Sequence, residues 1–270
     1  MVDLFWQRII SALIGIPVII LFIYLGGLPL LLFIIVLAFF CAYELQRILR
    51  RIDLLVPRLP FYGSALLFPL LAYFAPDGHE YEYLFFGVIF LLIMHMMLLV
   101  FNYPRLGVSD LAASYLGSGY ISLLLSHFIL IRNLSPFGLQ YLLLVIILTW
   151  ACDIGAYFIG RLFGSRALCP KLSPGKTWEG CAGGIIFCVV TAAVFQVICP
   201  ILTLQKIILL AIIIGFVAQI GDLVESSLKR MGEIKDSGNI IPGHGGVLDR
   251  LDSILFTGPV AYLFIKILLP

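Results

Sequence analysis

Charge is scarce in this chain. Asp, Glu, Lys and Arg make up 12% of its 270 residues, against 62% hydrophobic. A mean hydropathy of +1.12 excludes an ordinary soluble core, because too much apolar surface would be left in water. Cysteine is sparse and unpatterned. Cys41, Cys152, Cys169, Cys181, Cys188 and Cys199 lie mostly in or beside apolar stretches and show no C-x-x-C spacing. They read as small buried hydrophobes, neither disulfides nor zinc ligands. No repeat period is visible, and no stretch has the composition of a linker between soluble domains. An A-x-A-like cleavage site is missing after Arg8 and the run ISALIGIPVIILFIYL, so this segment reads as a retained first span. No pattern points to nucleic-acid binding or to a dissociable organic cofactor.

What is present is a series of apolar stretches of about 17 to 25 residues, the length a helix needs to cross roughly 30 Å of hydrocarbon. Charge, Pro and Gly delimit about nine of them, near 9–25, 28–46, 60–75, 84–101, 111–130, 140–160, 180–199, 204–227 and 253–269. The expected fold is therefore an all-α, polytopic integral membrane protein. It would form one integrated membrane domain with N-terminal helices over 1–135 and a C-terminal region over 136–270. With the N-terminus inside, 14 of the 17 Lys and Arg residues fall on the inner side, and only Arg132, Lys206 and Lys266 fall outside. The positive-inside rule then turns a polar funnel toward the cytoplasm.

Eight of the 32 charged residues are gathered in one island, Ser226 to Asp252, SSLKRMGEIKDSGNIIPGHGGVLDRLD. Just before and within it, Asp222, Glu225, Ser226 and Lys229 are spaced i, i+3, i+4 and i+7, which puts them on one helical face. Carboxylates at the end of a span need water, a partner or a metal. The face is therefore either a salt-bridged seam or a metal-binding surface. Asp249 and Asp252 repeat the i, i+3 spacing, and facing carboxylates from two such elements make a hard oxygen site suited to Mg²⁺. Pro242 to Gly246 is a poor helix and a good loop for approaching phosphate. Lys229, Arg230, Lys235 and Arg250 would anchor lipid headgroups if they stood alone, but interleaved with carboxylates and glycines they suit triphosphate. A second polar loop, Arg161 to Glu179, contains SPGKTWEG. It is not a P-loop, because Pro170 stands where G-x-x-x-x-G-K-[ST] requires glycine and no soluble strand precedes it. His79, His95 and His127 are isolated and read as structural.

The island spells S-x-L-K-R-x4-K-D-x-G-x2-I-P-x-H-G-G-V-x-D-R-L-D. In that order and spacing it resembles the signature of the phosphatidate cytidylyltransferase (CDP-diacylglycerol synthase) family. The loop bearing Ser173, Lys176, Thr177 and Glu179 and the stretch DIGAYFIGRLFG that begins at Asp153 are similar to the family as well. The resemblance covers about residues 150 to 255. It implies the reaction of CTP with phosphatidate at the bilayer to give CDP-diacylglycerol and pyrophosphate, in the inner membrane of a bacterium with the site facing the cytoplasm. It also implies Mg²⁺ on Asp222, Asp249 and Asp252, with a second metal ion and a homodimer left open. Asp222, Asp249, Lys229, Lys235, His244 and Arg250 would be catalytic. Ser173, Lys176, Thr177, Glu179, Arg230, Asp236, Gly245 and Gly246 would bind substrate. A CTP-dependent enzyme acting on another lipid phosphate or lipid alcohol is the alternative. More distant is an ion-coupled transporter, which should show repeated halves and broken helices at the midplane.

Overall fold

Apolar runs broken only by Gly, Pro and polar clusters fold as helices almost end to end. The structure, a computed structural model, describes residues 2–268, with side chains from 6 to 267. Residue 269 of the last expected span lies outside the described residues. The helices are α1 Val2–Leu25, α2 Gly27–Arg51, α3 Arg58–Phe74, α4 Glu80–Phe101, α5 Val108–Ser118, α6 Leu124–Asn133, α7 Gly138–Phe163, α8 Trp178–Ile198, α9 Leu204–Met231 and α10 Leu248–Leu268. A π-helical turn, Gly119–Leu123, joins α5 to α6.

Among the described residues, seven helical segments are long and apolar enough to cross a membrane, with α5, the π turn and α6 counting as one, Val108–Asn133. The other two expected spans correspond to α3 and α10. At 1.5 Å per residue, the 17 residues of α3, with Pro69 inside, reach roughly 26 Å, short of the hydrocarbon thickness. Helix α10 opens on Asp249, Arg250 and Asp252 and carries Lys266 in its last turn. The polar loop expected over 161–179 contains a two-stranded antiparallel hairpin, β1 Ala167–Cys169 and β2 Ser173–Thr177. The amide of Leu172 closes onto the carbonyl of Cys169 at 3.1 Å, with Pro170 second in the turn, where its fixed φ is favourable.

The chain packs as two compact units, one formed by residues 1–130 with 228–250 and the other by 131–227 with 251–270. In the first, α3 is central and packs on α2, α4, α5 and the π turn. Its core includes Ala38, Cys41 and Ile48 of α2 and Phe61, Ala65 and Phe68 of α3, all buried. In the second, α7 lies closely along α8, and the hairpin packs on both. Small residues make that approach possible. A Cβ on Gly155 would stand 2.6 Å from the side chain of Phe187, and one on Gly184 3.0 Å from the carbonyl of Cys152. One on Gly183 would collide with Ile159. Glycine spacing of this kind replaces the hydrophobic drive that lipid does not supply.

Candidate active site

In the second unit the hairpin presents the loop residues singled out from the sequence. Thr177 caps α8, its Oγ1 accepting from the amide of Gly180 at 3.1 Å, which satisfies one of the donors that begin a helix. Glu179 ties down the chain entering the hairpin. Its carboxylate accepts from the hydroxyl of Ser165 at 2.6 Å and from the amides of Ser165 and Arg166 at 3.1 and 3.3 Å. Ser173 lies in β2, half-buried. From the same strand Lys176 reaches α9, its Nζ 2.6 Å from Asp222 Oδ2.

Asp222 belongs to a carboxylate cluster. One oxygen each from Asp222, Glu225 and Asp252 lies within 4.8 Å of the others. Asp222 and Glu225 are a turn apart on α9, and Gly221 lets α10 come close, since a Cβ there would stand 2.6 Å from the carbonyl of Asp252. Glu225 is fully buried, whereas the Asp222 side chain is one-third exposed. The hydroxyl of Ser226 lies 3.4 Å from Asp222 Oδ1, and that of Ser253 3.4 Å from Asp153 Oδ1. Three carboxylates this close repel one another. The Lys176 ammonium offsets part of that charge, and a hard divalent cation would offset more.

In the first unit Asp249 gathers the island. Its Oδ1 accepts from Lys229 Nζ at 2.7 Å, and its Oδ2 from the amides of Ser237 and Gly246 at 2.9 and 2.8 Å. The loop between them closes on itself, Ile241 and Gly245 exchanging both backbone hydrogen bonds. Gly243 at φ 75° and Gly245 at φ 90° occupy conformations that side chains disfavour. Helix α1 braces this loop. Arg8 Nε donates to the Gly243 carbonyl at 2.9 Å, and the Ser11 hydroxyl lies 2.6 Å from His244 Nδ1. Burial first, then the Arg250 and Arg8 guanidiniums, holds the His244 imidazole below its ordinary pKa, which favours the neutral ring. Arg230, Lys235, Asp236 and Arg250 are exposed.

One residue escaped the sequence reading. Glu44 is the single acid of α2 and is fully buried. It accepts from the amides of Val247 and Leu248 at 3.0 and 2.8 Å, and its Oε2 lies 2.8 Å from the Ser237 hydroxyl. The signal was available as an acid deep in an apolar run, which requires a partner. The sequence alone does not say which.

Residues 6–268 match the Cytidylyltransferase family. A phosphatidate cytidylyltransferase of Bacillus subtilis is 36% identical over 97% of each chain. One of Staphylococcus haemolyticus is 34% identical over 94% of this chain and 96% of its own. The chain belongs to the cytidylyltransferase family. One further relative, a phosphatidate cytidylyltransferase of Haemophilus influenzae, is 44% identical over 148 residues, 53% of this chain and 50% of its own. Within this cytidylyltransferase, Asp222 and Asp252 of the expected metal set come together, and Glu225 joins them. Asp249 meets Lys229, Ser237 and Gly246. Of the expected substrate residues, Lys176 faces the carboxylates, while Thr177 and Glu179 act on local backbone. Gly246 is tightly confined, because a Cβ there would run into Ser237 Oγ and Glu44.

Proposed function

We propose that the protein is a phosphatidate cytidylyltransferase, joining CTP and membrane phosphatidate to give CDP-diacylglycerol and pyrophosphate. An oxygen of the lipid phosphate attacks the α-phosphorus of CTP. The new P–O bond forms as the α–β bond breaks, and pyrophosphate carries the leaving electron pair away. Such a transfer needs in-line positioning and charge neutralisation more than a protein nucleophile.

The observation that carries the reading is the cluster of Asp222, Glu225 and Asp252 with Lys176 beside it. Its hard oxygen donors fit Mg²⁺, and these three residues would hold it. Bound there, the ion would supply Lewis-acid neutralisation of phosphate oxygens. Lys176, paired with Asp222, would be placed to give its charge to a phosphate oxygen if a cation held that carboxylate. In the first unit Lys229, Arg230, Lys235 and Arg250 supply further cations around the glycine loop. Asp249 keeps that loop and Lys229 in register, and Oδ1, the oxygen that holds Lys229, is the one it can offer to a cation. We place the protein in the bacterial inner membrane with this chemistry at the cytoplasmic face, where CTP is dissolved and phosphatidate is embedded.

Labelled CTP tests the reading. With purified protein, phosphatidate and Mg²⁺, label from the α-phosphate should enter the lipid extract while label from the γ-phosphate stays in water, and Asp222→Asn should abolish the transfer. Transfer of the γ-label instead would make the protein a CTP-dependent lipid kinase and refute the assignment.

A further inference from the structure

The proposed reaction gives no task to Glu44, yet few side chains in the first unit are held by so many groups. Burying a carboxylate is costly unless hydrogen bonds replace its water. Here the replacements all come from one stretch, the Ser237 hydroxyl and the amides of Val247 and Leu248. The two amides stand at the start of α10, where helix donors lack partners and the dipole favours an anion. A side chain just over two hundred residues away in sequence thus supplies the cap. The neighbouring glycines are shaped to it, since a Cβ on either Gly238 or Gly246 would collide with the Glu44 carboxylate.

Ser237 links Glu44 to Asp249. Its hydroxyl has one proton and lies 2.8 Å from Glu44 Oε2 and 3.0 Å from Asp249 Oδ2. That same Asp249 oxygen takes the amides of Ser237 and Gly246, and the other oxygen takes Lys229. Displacing Glu44 therefore frees the loop and releases the hydroxyl wholly to Asp249, altering how that carboxylate holds Lys229. We propose that Glu44 is a positioning residue for the transfer, acting through Ser237 and the α10 amides to fix Asp249 and Lys229. The inference rests on reading residues 226–252 as reaction machinery.

Glu44→Gln, Ser237→Ala and the double variant test it in purified full-length protein, with kcat, the two KM values and thermal unfolding measured together. Glutamine keeps the shape but turns an amide donor toward other donors. We expect Glu44→Gln to lower kcat by about tenfold per folded molecule, with KM for CTP within about threefold. Ser237→Ala should lower kcat less, and the double variant should be no worse than Glu44→Gln, because both changes cut one linkage. Losses that multiply, or wild-type kcat per folded molecule in both single variants, would overturn the role and leave only a structural anchor. If Glu44→Gln does not fold, Ser237→Ala decides, since it keeps both amide bonds to Glu44. Its kcat per folded molecule should fall even where the protein is fully folded, and an unchanged kcat overturns the proposal. A wild type that makes no CDP-diacylglycerol defeats the functional reading itself, a result distinct from an active wild type with indifferent variants.

Discussion

Lys176 and Asp222 were legible in the sequence as chemistry because each interrupts an apolar chain at a position where its charge must be answered. Their pairing at 2.6 Å across the hairpin and α9 was not, since nothing in the spacing links residues 46 apart. The pair yields a test at single-residue scale. An ammonium beside a divalent cation opposes its binding, so Lys176→Met should tighten Mn²⁺ binding, read by paramagnetic resonance, by roughly tenfold at about 5 Å in a water-like dielectric. It should also slow turnover. Weaker Mn²⁺ binding would show that Lys176 supports the cation instead. His244 gives a second test. Its folded pKa lies below the ordinary 6.5, so between those two values the unfolded chain binds more protons than the folded one. Its contribution to stability is fully present above about pH 6.5 and is lost as pH falls through that window. The unfolding temperature of the wild type should therefore drop on acidification more than that of His244→Gln, and parallel curves would remove His244 from the account. The Ser11 contact does not make this histidine a base for a nucleophile. The Ser11 hydroxyl has its own helix carbonyls for its single proton, Gln7 at 2.8 Å and Arg8 at 3.1 Å, so it does not depend on His244 to take that proton. We accordingly expect inversion at the α-phosphorus of chiral thio-CTP, with no lipid-independent exchange of pyrophosphate into CTP. Retention would indicate a covalent intermediate.

Helices were legible from length and hydropathy, down to the joined rod of α5, the π turn and α6 over the expected 111–130. The hairpin was not, because β1 and β2 are short and their residues, Ser-Pro-Gly-Lys-Thr among them, carry no alternating pattern. Helix α3, Arg58–Phe74, falls within two residues of the expected 60–75, bounded by Pro57 at its start and followed by the turn after Pro76. What periodicity hides at this scale is contact between helices, and glycine marks it. Gly183→Ala should destabilise the protein in detergent by about 1–3 kcal/mol through overpacking against Ile159. Gly15→Ala in α1 meets nothing within 4 Å and should be neutral or slightly stabilising. Equal effects at the two positions would contradict the close approach of α7 to α8.

For the molecule as a whole, the bias of Lys and Arg predicts which side of the membrane each loop occupies. In a cysteine-free background, Lys235→Cys should react with an impermeant reagent only from the cytoplasmic side and Glu80→Cys only from the other. Labelling of both from one side would require a different number of crossings between them. The position of the island in the chain and most of its residues were legible, because charge beside membrane spans is costly to keep unless it is used. Its internal wiring was not, because Glu44 lies some two hundred residues from the loop it holds and Asp249 turns to Lys229 rather than outward. The most direct test of the central claim is the mass of the lipid made by purified protein from CTP, Mg²⁺ and phosphatidate. The account predicts CDP-diacylglycerol with one pyrophosphate released per lipid; folded protein that yields only unchanged phosphatidate, or a phosphorylated lipid with CDP, would contradict it.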